Sequence, residues 1–143
     1  MSIDKAELCT LIPHAGLMCL LDTVLKWDDE SILCASETHR DPSNPLRRDG
    51  RLSALHAFEY GAQAAAVHGG LHARSARVAM PLCYLAALRD AHLRVTRLDD
   101  IALPLEVRAR RLFGETGNQI YECHVSAGDI LLADGRITIM LRT

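Results

Sequence analysis

The feature that most constrains this chain is a slim, largely apolar segment that contains a single carboxylate. Residues 52–71 read LSALHAFEYGAQAAAVHGGL, and Glu59 is the one acidic residue among them. At about 100° per residue along a helix, Leu52, Leu55, Ala62 and Ala66 fall on the same side as Glu59. An ionised carboxylate is costly to bury without a partner, so Glu59 is the first candidate for a functional residue.

The opposite side of this segment predicts the architecture around it. That side carries only small side chains and one imidazole, at Ala54, Ala57, Gly61, Ala64, Ala65 and His68. Small side chains allow a β-sheet to approach a helix closely, and few groups on this side require water. We therefore expect one helix, from about Leu52 to Gly70, covered by a sheet on most of its sides.

The rest of the chain reads as strands. Two precede the helix and form a hairpin, Met18–Lys26 and Ser31–Thr38, and the loop His39–Gly50 leads from them to the helix. Four follow it in antiparallel order: Pro81–Val95, Pro104–Phe113, Gln119–Ala127 and a last strand that ends at Leu141. Two points are left open, since ALRDAHL also fits helical spacing and Asp134-Gly135 predicts either a turn or a bulge.

Length and element order together predict the fold class. A chain of 143 residues fits one domain, residues 1–143, that buries a core without metal or disulfide support. One helix among six strands predicts an α+β fold in which an antiparallel sheet wraps around one long central helix. Such a sheet leaves open edges, so we expect at least a dimer.

Charge and composition exclude several classes of function. Lys and Arg total 16 against 18 for Asp and Glu, which predicts no nucleic-acid binding. The run Leu17–Leu21 is too short to span a membrane and no leader opens the chain, so we expect a cytoplasmic protein. The five cysteines are widely separated without a C-x-x-C pair, so we interpret them as reduced core residues and expect no metal site.

Two sequence blocks resemble a known family. The first is Leu11–Asp22, LIPHAGLMCLLD, with a Pro-His pair before a Leu-Leu-Asp strand, and the second is Phe58–Ala64, FEYGAQA, with a glutamate followed by Ala-Gln. Pro104–Val107 adds a weaker likeness. In order and spacing these blocks resemble the hotdog-fold 3-hydroxyacyl-ACP dehydratases, in particular the divergent dehydratase-like proteins of aryl-polyene and related polyketide-type pathways. The resemblance implies a hotdog fold and an acyl group carried on the phosphopantetheine arm of an acyl carrier protein, without a cofactor.

The chain also departs from that family's pattern. The resemblance implies a catalytic histidine in the loop before the helix, but Asn44–Arg47 occupy this region. The family's Pro-Gly pair at the start of the helix, which presents an amide to the thioester carbonyl, corresponds here to Ser53-Ala54. These changes retain the Ala54 amide but remove the usual base.

Dehydration of a 3-hydroxyacyl thioester requires a base for the α proton and an acid for the leaving hydroxyl. We expect Glu59 to act as the acid and His14, from the Pro-His loop, to act as the base. Both assignments have structural alternatives: Glu59 pairing with an arginine or facing a solvent channel, and His14 bonding to the backbone. Gln63 is expected either to orient the carboxylate or to bond to a loop, and His56 is a substitute base or substrate contact on the same face.

Three functions remain open at this point. The leading one is a dehydratase; the second is a hotdog acyl-thioesterase, in which the helix carboxylate activates water. The third is a non-catalytic partner of an active dehydratase in a heterodimer, which the missing loop histidine favours. Arg47, Arg48 and Arg51 are either solubilising charges or contacts for the carrier's phosphate or acidic surface.

Overall fold

The computed structural model describes residues 2–12, 18–78, 82–115 and 117–142. One short and one long helix, α1 (Lys5–Leu8) and α2 (Ala57–Ser75), accompany six strands. The strands are β1 (Thr23–Trp27), β2 (Ser31–Ser36), β3 (Leu82–Leu93), β4 (Leu105–Glu115), β5 (Asn118–Ala127) and β6 (Ile130–Arg142). Single 3-10 turns cover Cys9–Leu11, Thr38–Arg40 and Ala54–His56, and the last of these leads directly into α2.

The six strands form one antiparallel sheet in the order β1-β2-β4-β5-β6-β3. Helix α2 packs across this sheet and contacts β2, β4, β5 and β6. The expected α+β hotdog arrangement and the predicted order of elements are confirmed. The helix runs over Ala57–Ser75 rather than from about Leu52 to Gly70, because Ser53 caps a separate 3-10 turn, Ala54–His56, before it. The long, uneven segment after the helix forms strand β3, so the helical alternative for it is wrong.

Two of the predicted strand details are corrected. The first strand begins at Thr23 rather than at Met18, because residues 18–22 are held by side chains from other elements. Gly135 lies inside β6 directly opposite Cys123, so Asp134-Gly135 is not a turn. The irregularity lies in the neighbouring strand β3, between Arg89 and His92. A Cβ on Gly135 would approach Phe58 to 2.9 Å, so a glycine is needed for contact with the helix.

The sheet covers the small-residue side of α2. Ala57, Ala64 and Ala65 are buried, and a Cβ on Gly61 would lie only 2.9 Å from the Cys123 Sγ atom. Helix and sheet therefore approach as closely as the sequence predicted. The expectation that α2 is covered on most sides is confirmed, because most residues from Ala57 to Leu71 are buried and Glu59 is the one exposed residue among them.

The interpretation of the cysteines is wrong for one pair. Cys9 and Cys19 form a disulfide across ten positions of sequence, because the turn after α1 brings Cys9 beside the segment that precedes β1. Cys34 and Cys123 are buried free thiols, as expected. Burial raises the pKa of both thiols to about 12, so they remain protonated and act as small core residues.

The far end of α2 is held by a buried histidine. His68 contacts the Tyr121 hydroxyl through Nδ1 at 2.6 Å and the Asp28 carbonyl through Nε2 at 2.8 Å. Burial lowers the pKa of His68 to about 4, so the ring is neutral and joins the helix to β5 and to the turn between β1 and β2. No described helix is long and apolar enough to cross a membrane.

The close approach at Gly61 gives a matched pair of substitutions within one helix. Gly61→Ala is expected to lower the free energy of unfolding by about 1 kcal/mol, because overpacking against Cys123 outweighs the higher helix propensity of alanine. Gly69→Ala, where an added Cβ meets no atom within 4 Å, is expected to raise it by about 0.5–1 kcal/mol. Urea unfolding measures both values. Equal effects at the two positions would contradict the close packing.

Candidate functional site

Glu59 lines a cleft beside the open edge of the sheet. The cleft has a volume of about 260 Å³ and lies between α2, the segment before β1, and strands β3 and β6. Its walls are mostly apolar and include Met18, Leu20, Ala62, Ala66, Leu85 and Ile139. An apolar cleft with one carboxylate suits an acyl chain that has a polar reacting group at one end.

Among the described residues, Glu59 is the only charged one that lines this cleft. Within the described residues its carboxylate has no hydrogen bond or ion pair, so the alternative in which it pairs with an arginine is not observed there. Its position in the first turn of α2 places it near the positive end of the helix dipole. The carboxylate is therefore available to exchange a proton with a molecule in the cleft.

Gln63, one turn after Glu59, holds the opposite wall of the cleft. Its Oε1 atom accepts a hydrogen bond from the Leu20 amide at 2.8 Å, and its Nε2 atom donates to the Met18 carbonyl at 2.6 Å. Both ends of the side-chain amide are thus used by the backbone. The structure confirms the helix-to-loop alternative for Gln63 rather than a bond to the Glu59 carboxylate.

Further side chains fix the same wall. Lys5 donates from Nζ to the carbonyls of Cys19 and Leu21 and to the Asp22 carboxylate, at 2.8–3.0 Å. The hydroxyl of Thr38 donates to the Leu20 carbonyl at 2.7 Å and also contacts the Tyr60 hydroxyl. The sequence analysis missed these supports, since an isolated Lys or Thr carries no pattern that predicts such distant partners.

The Ala54 amide does not lie free at the start of the helix. It donates to the Thr96 carbonyl at 3.0 Å, and the following amide, of Leu55, bonds to the Ser53 side chain at 3.2 Å. Ser53 is therefore an N-cap of the turn before α2. The Ala54 amide is already satisfied, so the structure does not offer it to a thioester oxygen as the resemblance implied.

The two histidines expected near the site have different outcomes. His56 lines a neighbouring pocket with Arg48, Arg51 and Arg97, and not the cleft of Glu59. His14 lies outside the described residues, which resume at Met18 in the cleft wall. Across the described ranges, no three His, Cys, Asp or Glu side chains are grouped as they would be to hold a metal ion.

A single antiparallel sheet packed on one long helix, with a carboxylate of that helix in an apolar cleft, defines a hotdog protein. The chain belongs to the ApeP-like family, whose ApeP dehydratase model matches residues 6–142. It is therefore a dehydratase-like protein of the hotdog class. No curated protein sequence matches it significantly.

Several solved structures share the fold. The dehydratase heterocomplex ApeI:P from Xenorhabdus doucetiae matches with a TM-score of 0.86 and 24% identity, over 95% of this chain and 91% of the other. A putative thioesterase from Silicibacter sp. TM1040 matches with a TM-score of 0.68 and 12% identity, over 99% and 93% of the two chains. AziG from S. sahachiroi matches with a TM-score of 0.63 and 12% identity, over 93% and 99%. At these identities the structures support the fold alone.

The two backbone bonds of Gln63 predict a large cost for its removal. Gln63→Leu leaves the Leu20 amide and the Met18 carbonyl without this partner, so the free energy of unfolding is expected to fall by about 2–4 kcal/mol. Gln119→Leu, a partly exposed glutamine on β5, serves as the control and is expected to cost less than about 1 kcal/mol. Urea unfolding compares the two. Equal losses would show that Gln63 does not hold the cleft wall.

Proposed function

We propose that this chain dehydrates a 3-hydroxyacyl thioester in the Glu59 cleft. The observation that supports this most strongly is the cleft itself: a carboxylate on the central helix, without a partner among the described residues, faces a mostly apolar space. Membership in the ApeP-like family supports a dehydratase activity of this kind. The apolar walls would receive the acyl chain, and the carboxylate would meet the carbon that carries the hydroxyl group.

In the proposed reaction, a base removes the proton from C2 and the electron pair forms an enolate with the thioester carbonyl. The enolate then collapses to the C2–C3 double bond as the C3–O bond breaks. The protonated Glu59 carboxyl gives its proton to the departing oxygen, which leaves as water. The products are one 2-enoyl thioester and one water molecule.

The base and the oxyanion stabilisation remain parts of the proposal. We assign the base to His14, since Pro13 restricts the loop that carries it and the following described residue, Met18, lines the cleft. We assign stabilisation of the enolate oxygen to the positive end of α2, whose first turn carries Glu59. The satisfied Ala54 amide is not required in this assignment.

The proposal includes a hotdog partner bound along β3. The two edges of the sheet differ: β1 has five residues and is partly covered by Ile3, whose backbone bonds to Val24, whereas β3 has twelve residues. Tyr84, Leu88 and Leu93 on β3 are large and exposed. A long apolar edge needs a partner, and a chain bound there would also close the cleft beside Leu85. The similar ApeI:P structure is a heterocomplex, which supports a different hotdog chain as one possible partner beside a second copy.

We further propose that the substrate arrives on an acyl carrier protein in the cytoplasm. The family resemblance of the Pro-His and Glu-x-x-Ala-Gln blocks supports a carrier-bound substrate. Two other functions stay distinct from this proposal: hydrolysis, in which the exposed Glu59 carboxylate activates water, and a non-catalytic role beside an active hotdog partner. Their products and partner requirements differ, so a single set of assays separates them.

Glu59→Gln is expected to lower the rate of dehydration at least about 100-fold, because the amide retains the size of the side chain but cannot transfer the proton. The assay follows the α,β-unsaturated product from a carrier-bound 3-hydroxyacyl group, with the full chain alone and with its hotdog partner. Glu106→Gln on β4 is the control and is expected to leave the rate unchanged.

Each outcome of this assay assigns one function. Unchanged turnover in a folded Glu59→Gln variant would contradict the proposed role of Glu59. Release of the free acid rather than the unsaturated product would identify a thioesterase. If turnover requires the partner and its rate is the same for the wild-type chain and for Glu59→Gln, the chain is a non-catalytic subunit.

The proposed edge pairing is tested with a matched pair of leucines. Leu88 on β3 and Leu112 on β4 are 36% and 38% exposed, so a glutamate at either position alters the single chain to a similar extent. Leu88→Glu is expected to weaken association at least about 100-fold, because pairing would bury an unpaired charge. Leu112→Glu is expected to leave association unchanged. Light scattering of the chain alone and of its mixture with the partner measures both, and unaltered association of Leu88→Glu would contradict pairing along β3.

A further inference from the structure

A second pocket adjoins the Glu59 cleft, and three arginines line it. It has a volume of about 240 Å³ and includes Arg48, Arg51, His56 and Arg97. Leu46 lines both this pocket and the cleft, so the two spaces are neighbours. Neither the proposed proton transfers nor the acyl chain requires this cluster of arginines.

A tight turn places Arg48 and Arg51 side by side. Asp49 and Gly50 have φ values of 52° and 74°, the left-handed geometry of a two-residue hairpin turn. The two arginines exchange both backbone hydrogen bonds, at 2.8 and 2.9 Å, and therefore lie directly opposite each other. Side chains of directly opposed residues share one face of a hairpin. Asp-Gly is a strong sequence signal for this turn, which fixes the position of the two cations.

The third arginine reaches the same face through a neighbouring bridge. Leu52 is buried, so the residues on either side of it, Arg51 and Ser53, point away from the core. Ser53 in turn pairs antiparallel with Arg97. These two backbone pairings bring Arg97 close to Arg48 and Arg51, just before the start of α2.

Within the part of the chain that the structure describes, one of these arginines has a counter-charge. Arg97 bonds to Asp99, and this bond holds the pKa of the Asp99 carboxyl well below its usual range, so the two charges offset each other. Asp100 lies 3.8 Å from the Arg97 guanidinium. Among the described residues, the side chains of Arg48 and Arg51 have neither a hydrogen bond nor an ion pair.

A pair of like charges directly opposite each other is unfavourable unless an anion offsets it. Arg47, by contrast, donates hydrogen bonds from its guanidinium group to the Gly50 and His39 carbonyls, at 3.0 and 3.1 Å. It therefore stabilises the loop between β2 and α2. Two cations that have no partner among the described residues, with His56 lining the same pocket, offer a site for a phosphate group.

We propose that the Arg48–Arg51 pocket binds the phosphate of the substrate's phosphopantetheine arm, and this inference rests on the proposed action on carrier-bound thioesters. The phosphate would sit between the two guanidinium groups, and the arm would run past Leu46 into the Glu59 cleft. The pocket would thus select thioesters that carry a phosphate over those that lack one. It contributes to binding and takes no part in the proton transfers.

The test uses three substrates that share one 3-hydroxyacyl group: the pantetheine thioester, the 4′-phosphopantetheine thioester and the thioester on the carrier protein. The variants are Arg48→Gln and Arg51→Gln, and Arg108→Gln, an exposed arginine on β4, is the matched charge control. Each pocket variant is expected to raise KM about tenfold for the two phosphate-bearing substrates, with kcat unchanged. The pantetheine thioester, and the Arg108→Gln control with every substrate, are expected to keep the wild-type KM.

Other patterns overturn the inference. An effect with the carrier-bound substrate alone would mean that the arginines contact an acidic protein surface and not the phosphate. A phosphate site would also be excluded if Arg48→Gln and Arg51→Gln raised KM equally for all three substrates, or if they changed KM for none of them.

A binding measurement separates failure of this inference from failure of the proposed function. Titration calorimetry compares phosphopantetheine with pantetheine on the full chain with its partner, without any turnover. Tighter binding of the phosphorylated form, lost in Arg48→Gln and Arg51→Gln, would support the pocket even if no substrate were dehydrated. Equal binding of the two compounds by the wild-type protein would overturn the pocket while leaving the Glu59 assays unaffected.

Discussion

The close approach of α2 to the sheet determines where every other part of the site can lie. Gly61 leaves no room for a Cβ beside Cys123, so the sheet contacts the helix on its alanine and glycine side. Both long sides of the helix are largely apolar, and they differ in the size of their side chains rather than in polarity. Because the small side is taken by the sheet, the side with Glu59 faces the cleft, and its carboxylate is left for a ligand.

The cleft keeps its shape because one wall is tied to several elements at once. Gln63 from the helix, Thr38 from the turn after β2, and Lys5 from α1 all bond to the backbone of residues 18–22, and the Cys9–Cys19 disulfide joins the same segment. These bonds hold the residues that precede the backbone pairing of Asp22 with Ala35 on β2. The described chain thus resumes at Met18 in a fixed wall of the cleft, and the proposed base, His14, precedes this wall in sequence.

Local patterns predicted much of this fold and only part of the site. The periodicity around Glu59 and the alternation in β4 depend on neighbouring residues, so the helix, the strands and the candidate acid could be found from sequence. The Ala54–Thr96 bond, the Cys9–Cys19 pair and the placement of His56 depend on contacts between distant segments, which no local spacing encodes. For the same reason, the two alternatives for Gln63 could be stated but not decided before its partners were known. The exposure of Glu59 could likewise be stated only as one of two alternatives, because an apolar helix side does not say whether this chain or a partner covers it.

The most direct test of this account is a crystal structure of the chain, with its hotdog partner, bound to an unreactive amide analogue of a carrier-linked 3-hydroxyacyl group. The account predicts the acyl chain in the apolar cleft, with the C3 hydroxyl oxygen within about 3 Å of a Glu59 carboxylate oxygen, the distance needed for proton transfer. An acyl chain bound elsewhere, or a C3 oxygen beyond reach of Glu59 both directly and through one water molecule, would contradict it.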